Sequence, residues 1–209
     1  MKIAVKVCGM TDPANIRAVA ALPVDMLGFI FHAPSPRHAA MLDPSVALAL
    51  PRPPLRAGVF VNASVRDVLE VARARHLDIV QLHGDESPAD CLRVRAGGPR
   101  VIKAIPVGEG DNPAIDALPY VDACDYLLFD TRSTGRGGSG QPFDWSLLDA
   151  YDAPRPFILS GGVSPADAPR LRAWKHPRLH GVDLNSRFET MPGIKNTLAI
   201  QHFIQELNN

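Results

Sequence analysis

Ile3-Ala4-Val5-Lys6-Val7-Cys8-Gly9-Met10-Thr11-Asp12-Pro13 reads as three parts in order. A short apolar run ends at Val7, an exit carries a thiol and a glycine, and a helix start follows. Val and Ile suit an extended, pleated backbone. Gly9 lets the chain turn sharply. Thr11 or Asp12 then caps a helix, with Pro13 in its first turn, where the missing N–H is no loss. Cys8 is left at the strand's mouth. Taken alone, such a cysteine is either a small buried hydrophobe or a reactive thiol.

The same order of parts recurs along the chain. Apolar, β-rich runs occur at Ile3–Val7, Met26–Phe31, Arg56–Val61, Asp78–Leu82, Val101–Ile105, Tyr126–Phe129, Pro156–Leu159 and Leu179–Leu184. Several are continuous rather than alternating, as parallel strands covered on both faces are. Helical patterns fill the gaps: Asp12–Ala21, Asp43–Leu50, Ser64–Arg75, Ser87–Arg95, Asn112–Leu118, Phe143–Ala150, Ser164–Trp174 and Ile194–Leu207. Ser64, Ser87 and Ser164 stand as caps, and prolines follow directly at positions 88 and 165. Dividing 209 residues by eight units gives about 26 residues each, near the low end for a (β/α)8 barrel. An open doubly wound sheet rarely needs eight such even units. The expected fold is therefore α/β: a parallel, eight-stranded (β/α)8 TIM barrel forming a single domain over residues 1–209.

Composition narrows the function. At 46% hydrophobic residues the chain is neither disordered nor membrane-spanning. Its formal net charge is zero, which argues against a broad nucleic-acid footprint. An anionic ligand must then be held by local devices. Cys8, Cys91 and Cys124 have no metal-ligand spacing, and an odd count does not suggest a disulfide scaffold. A reducing cytoplasm suits them. Lys2 and Lys6 interrupt any signal-like apolar core.

In a barrel, active sites lie at the C-terminal ends of the strands. Polar or small residues replace hydrophobes at almost every such exit: Cys8-Gly9, His32 to His38, Asn62, His83-Gly84-Asp85, Pro106-Val107, Asp130-Thr131-Arg132, Ser160-Gly161-Gly162 and Asp183-Leu184-Asn185. Gly161 and Gly162 precede a helix start, where backbone N–H groups can approach a phosphate. Gly181 to Ser186 adds further amides and the Ser186 hydroxyl. Phosphate sites in barrels recur at these seventh and eighth loops.

Gly135-Arg136-Gly137-Gly138-Ser139-Gly140 matches G-x-G-x-x-G, but it comes several residues after its strand, and Gln141-Pro142-Phe143 follows instead of a helix. A dinucleotide site is rejected on that context. The stretch reads as a mobile lid or as a solvated loop.

Asp130 ends an apolar run at the rim of a partly apolar cavity. Burial there would raise its pKa and suit it to give a proton; alternatively it caps a helix or pairs with Arg132. Cys8 on strand one and Asp130 on strand six stand on opposite sides of the ring, one group for each face of a small sugar. That arrangement suits removing a proton from carbon while protonating oxygen. Arg37, stiffened by Pro36, is either a fork for a carboxylate or a surface arginine. His83 is either a ligand contact or a satisfied structural histidine. No His/Asp/Glu cluster has metal spacing, and no lysine is convincingly placed for a Schiff base.

Taken together, these residues resemble one family. Lys6-Val7-Cys8-Gly9-Met10-Thr11, Gly28-Phe29-Ile30-Phe31 with Ser35-Pro36-Arg37, and Val59-Phe60-Val61-Asn62 carry the likeness. So do Gln81-Leu82-His83-Gly84-Asp85, Leu128-Phe129-Asp130, Ser160-Gly161-Gly162, Gly181-Val182-Asp183 and Pro192-Gly193-Ile194-Lys195. The chain resembles the phosphoribosylanthranilate isomerases of tryptophan biosynthesis over nearly its full length. The resemblance implies a single-domain barrel that needs no cofactor and no metal. It implies an Amadori rearrangement of N-(5-phosphoribosyl)anthranilate, with Cys8 as general base and Asp130 as general acid. Arg37 would hold the anthranilate carboxylate, and His83, Gly161, Gly162, Asp183, Asn185 and Ser186 would complete the substrate site. The expected partner is a small phosphorylated molecule, with no nucleic acid and no membrane. The expected assembly is a monomer, with a dimer as the alternative. The family's Ser-Ser-Gly-Val-Glu after the last aspartate is here Asn185-Ser186-Arg187-Phe188-Glu189. Arg187 in place of glycine either strengthens phosphate binding or points to solvent.

Overall fold

The computed structural model describes residues 2–39, 41–50, 53–132 and 143–209. Eight parallel strands close into a barrel in sequence order: β1 (Ala4–Val7), β2 (Met26–Ile30), β3 (Leu55–Phe60), β4 (Ile79–Leu82), β5 (Arg100–Val107), β6 (Tyr126–Thr131), β7 (Phe157–Leu159) and β8 (Leu179–Leu184). All eight lie where the apolar runs placed them. The seam is the β1–β8 ladder, which sets Lys6 beside Asp183 and Val7 beside Leu184. The glycine-rich stretch from Gly135 to Gly140 lies outside the described residues.

Side chains alternate between two cores, as the period of two along a strand requires. Met26, Ala57, Ile79, Ile102, Ala104, Leu128 and Ile158 point inward and plug the barrel. Leu27, Phe29, Val80, Leu82, Leu127 and Phe129 point outward beneath the helices. Both faces of each strand are therefore covered, which is why the runs read as continuous hydrophobes.

The helices start where their caps stand. Asp12, not Thr11, caps α1 (Pro13–Ala20), accepting from the Asn15 N–H at 2.7 Å. Asp43 caps α2 (Pro44–Leu48), Ser64 caps α3 (Val65–Ala74), and Ser87 with Asp90 forms a reciprocal capping box on α4 (Pro88–Ala96).

Four helix expectations need correction. Asn112–Leu118 is a five-residue helix, α5 (Pro113–Ala117), followed by a 3-10 turn, Leu118–Tyr120. Phe143–Ala150 holds only a 3-10 segment, Trp145–Leu148. There the buried residues Trp145, Leu148 and Tyr151 recur every third position, the period of a 3-10 helix. Ser164–Trp174 splits into a 3-10 turn, Pro165–Asp167, and α6 (Ala168–Ala173). Pro169 lacks the N–H that a continuous helix would need, and its ring would crowd the carbonyl of Pro165. Finally, Ile194–Lys195 is no helix start: as β10 it pairs antiparallel with β9 (Glu189–Met191). Gly193, at φ +88°, makes the turn, and Asn196 then caps α7 (Thr197–Asn208).

Strands three, four and five are tied together at the barrel's mouth by one buried carboxylate. Glu86 accepts from the backbone N–H groups of Asn62 at 2.7 Å and Gly84 at 2.8 Å, and from Lys103 Nζ at 3.0 Å. Removing it strands a buried ammonium and two amides. Glu86→Ala is expected to cost about 3–5 kcal/mol of stability, read as a lowered midpoint of urea unfolding. A loss below about 1 kcal/mol would mean the carboxylate is not the tie.

Candidate active site

One cavity opens at the C-terminal ends of the strands. Its wall includes Cys8, Arg37, Gln81, His83, Asp130, Gly161, Gly162, Asp183, Asn185 and Ser186. All nine residues expected from sequence to form the site are among them.

Cys8 is fixed by the backbone on both sides. Its N–H donates to the Leu184 carbonyl at 2.9 Å, and the N–H groups of Gly9 and Met10 both donate to the Gly28 carbonyl. Gly9 takes φ +78°, which only glycine adopts freely. Gly28 on β2 leaves space for the sulfur, since a β-carbon there would sit 2.6 Å from Sγ. The side chain is nearly buried yet faces the cavity.

Lys6 lies beneath Cys8 on the same inward face of β1. Its Nζ sits 2.9 Å from Asp183 Oδ2, and its side chain is 0% exposed. Burial opposes the Lys6 charge, but Asp183 and then Cys8 outweigh it and hold the ammonium above its ordinary value. Burial pushes the Cys8 thiol up; the Lys6 charge opposes this, Asp183 adds to it, and Lys195 opposes it again. A base near neutrality needs a thiolate, so these cations matter to what Cys8 can do.

Asp130 stands within β6, not in the loop beyond it, because the β5–β6 ladder runs on through Pro106–Asp130 and Val107–Thr131. Neither alternative role for this carboxylate holds. Among the described residues it caps no helix, and Arg132 pairs with Asp111 at 2.8 Å. Asp130 Oδ2 lies 3.1 Å from His83 Nε2. Gln81 Nε2 approaches His83 Nδ1 at 2.7 Å. An amide N–H can only donate, so Nδ1 accepts and the ring proton sits on Nε2, aimed at Asp130.

Arg37 differs from expectation. Its fork is already closed on a carboxylate of this chain: Nε donates to both oxygens of Glu189, at 2.9 and 3.1 Å, and Nη2 donates to Oε2 at 2.7 Å. Nη1 meets no acceptor among the described residues. Lys195 binds the same carboxylate at 2.6 Å and also donates to Asn185 Oδ1 at 2.7 Å. The sequence reading missed Glu189, Lys195, Lys6 and Gln81. Lys6 and Gln81 did leave a signal: each is a polar residue inside a run otherwise buried on both faces.

The opposite wall carries Gly161 and Gly162, at φ +83° and +74°. A β-carbon on Gly161 would collide with the Thr131 backbone N at 2.4 Å. The N–H groups of Gly161, Gly162 and Val163 meet no acceptor among the described residues. The expected long helix behind them is the short 3-10 turn already described, so the loop amides themselves are the available donors. Arg187 is exposed and is not part of the cavity wall. Among the described residues no group of His, Cys, Asp and Glu could hold a metal ion, and no helix is long and apolar enough to cross a membrane.

The chain is similar over nearly its whole length to known proteins. The family model described as N-(5'phosphoribosyl)anthranilate (PRA) isomerase matches residues 5–206. The N-(5'-phosphoribosyl)anthranilate isomerase of Parabacteroides distasonis is 43% identical over 205 residues, covering 97% of this chain and 92% of that one. The solved phosphoribosyl anthranilate isomerase from Thermotoga maritima has a TM-score of 0.86 at 34% identity over 99% of each chain. Another solved member, in complex with reduced 1-(o-carboxyphenylamino)-1-deoxyribulose 5-phosphate, has a TM-score of 0.83 at 32% identity over 99% of each chain.

Glu189 makes the site's stability depend on pH. Burial works against its charge, but the hydrogen bonds from Arg37 and Lys195 prevail and hold its carboxyl below the usual range. A carboxyl lowered in the folded state contributes stability above its unfolded pKa and loses it as pH falls through the folded value. Glu189→Gln is therefore expected to be less stable than the parent at neutral pH, with the gap narrowing below about pH 4. Thermal melts of both proteins across pH 3 to 8 read this directly. A gap that is constant with pH would deny Glu189 that role.

Proposed function

The chain belongs to the N-(5'-phosphoribosyl)anthranilate isomerase family, and on that premise we propose how its own residues carry the reaction. The enzyme is an aldose–ketose isomerase of tryptophan biosynthesis. It converts N-(5'-phosphoribosyl)anthranilate to 1-(2-carboxyphenylamino)-1-deoxyribulose 5-phosphate, a rearrangement within one small phosphorylated substrate.

In our reading Asp130 gives a proton to the ribose ring oxygen. The C1′–O bond breaks, and the nitrogen lone pair forms the iminium. That cation acidifies the C2′ proton, which Cys8 removes as thiolate. The electron pair of the C2′–H bond becomes the C1′=C2′ bond of an enolamine. Protonation at C1′ and loss of the 2′-hydroxyl proton then give the ketone. The observation that carries this reading is that Cys8 and Asp130, from strands on opposite sides of the ring, face one cavity. His83 would orient Asp130 through its Nε2–H.

The phosphate belongs, in this reading, at the free amides of Gly161 and Gly162 with the Ser186 hydroxyl. Asp183 and Asn185 would receive the sugar hydroxyls; Asp183 Oδ1 is buried with no protein partner among the described residues. Arg37 would reach the anthranilate carboxylate with Nη1 while Glu189 keeps the guanidinium in place. A monomer is the working form in this reading, with a dimer as the alternative. Three free, buried cysteines accord with a reducing cytoplasm.

Loss of the substrate's anthranilate fluorescence on adding protein measures turnover. Cys8→Ala and Asp130→Asn should each lower kcat by about 100-fold or more, with circular dichroism little changed. Near-normal turnover in either purified variant removes that residue from the mechanism.

Arg37→Lys keeps the charge but loses the fork. It should lower kcat/KM by about tenfold to a hundredfold, the worth of a charged hydrogen bond. A substrate built on aniline, without the carboxylate, should be insensitive to the same change. Equal losses on both substrates would point to damage of the loop instead.

A further inference from the structure

Lys6 is an ammonium ion inside the barrel, with none of its side chain exposed. Burying such a charge costs several kcal/mol unless a partner compensates it. Asp183 compensates it from the neighbouring strand, at the same rung of the β1–β8 ladder. A pair placed only for closure of the seam would satisfy both carboxylate oxygens. Here Oδ1 is buried with no protein partner among the described residues, and Asp183 is one of the residues lining the cavity. Asp183 thus brings the pair to the edge of the reaction space, and the next inward-facing residue after Lys6 is Cys8.

The charged groups around that thiol come from four elements. Lys6 and Asp183 act from β1 and β8, Lys195 from β10, and Arg37 from the segment after β2. Asp130 faces them across the cavity on β6. The cations are not equivalent. Arg37 and Lys195 both bind the Glu189 carboxylate directly, which offsets one of their two charges and points their donors at Glu189. Burial also pulls the Lys195 ammonium below its ordinary value, against its bond to Glu189. Lys6 bonds only to Asp183 among the described residues, through one carboxylate oxygen, and it stands two residues before Cys8 on the same inward face, where its charge acts on the sulfur.

We propose that Lys6 is the counter-ion of the Cys8 thiolate, and that Asp183 holds Lys6 in place while limiting its effect. Lys6 is thus a positioning residue for the base. The proposal rests on Cys8 acting as the base, but its test does not. It gives the two members of one ion pair opposite effects on one sulfur. Loss of Lys6 makes the thiolate harder to form, and loss of the Asp183 charge makes it easier.

The test is the pH profile of Cys8 alkylation by iodoacetamide, located by mass spectrometry of the intact, folded enzyme. Peptide mapping separates Cys8, which lines the cavity, from Cys91 and Cys124, which are buried away from it. In Lys6→Met the midpoint should rise by about one pH unit or more. In Asp183→Asn it should fall. Turnover of Lys6→Met should drop about tenfold or more near pH 7 and recover as the pH is raised. A merely structural lysine would not produce recovery with pH. If Lys6→Met does not fold, Asp183→Asn decides alone: a lowered midpoint supports the proposal, and an unmoved or raised one overturns it. Midpoints that stay put, or that move in the same direction in both variants, also overturn it. Failure of the base assignment would appear separately, as turnover surviving in Cys8→Ala while these midpoints still diverge.

Discussion

The ion pair between Lys6 and Asp183 sits where the first strand meets the last. Closing a sheet into a barrel demands a rung-by-rung match at that seam. Here one rung is an ammonium against a carboxylate at 2.9 Å, and the next residue inward-facing on β1 is Cys8. Slipping one of these strands by a single residue would turn its charge out among the helix-facing hydrophobes and leave the other unpaired. The pair thus links closure of the fold to the electrostatics of the site. Lys6 shares a rung with Met26 of the apolar plug, and the pair is buried.

Above the plug, charge is partitioned by strand. Strands one and eight, with the β9–β10 hairpin, supply a cluster of cations and carboxylates around a thiol. Strands four and six supply the Gln81–His83–Asp130 chain on the far side. Cys8 and Asp130, the proposed base and acid, come from different strands around one cavity. An overall net charge of zero is compatible with an anionic substrate. The loop amides of Gly161 and Gly162 and the outer edge of Arg37 are local donors, and none requires a field over the whole molecule.

Glu189 shows how a residue far along the chain can govern one near its start. Its carboxylate closes the Arg37 fork and anchors Lys195, so one side chain from the hairpin sets the orientation of two cations. The Gly193 turn makes this possible by folding β10 back against β9. Glu86 does comparable work on the other side of the mouth, where it joins three strand exits.

Much of this was legible in the sequence. Eight apolar runs, the caps Asp12, Asp43, Ser64 and Ser87, and polar residues at the strand exits determined a parallel barrel with its site at the C-terminal mouth. Hydrophobic periodicity and capping are local and leave local marks. Cys8, Arg37, His83, Asp130, Gly161, Gly162, Asp183, Asn185 and Ser186 stood out because the strand ends advertise them. The short helices did not stand out, because Pro169 and the three-residue spacing of Trp145, Leu148 and Tyr151 bear on hydrogen bonds the pattern alone does not count. Partnership was also hidden. Lys6 meets Asp183 across 177 positions, and Arg37 meets Glu189 across 152. Nothing in either neighbourhood names the other, since a charge buried by tertiary closure takes whichever partner the closed barrel brings to it. Local pattern marks which residues face the mouth; closure of the barrel selects which charges pair there, because it alone brings distant side chains within bonding distance.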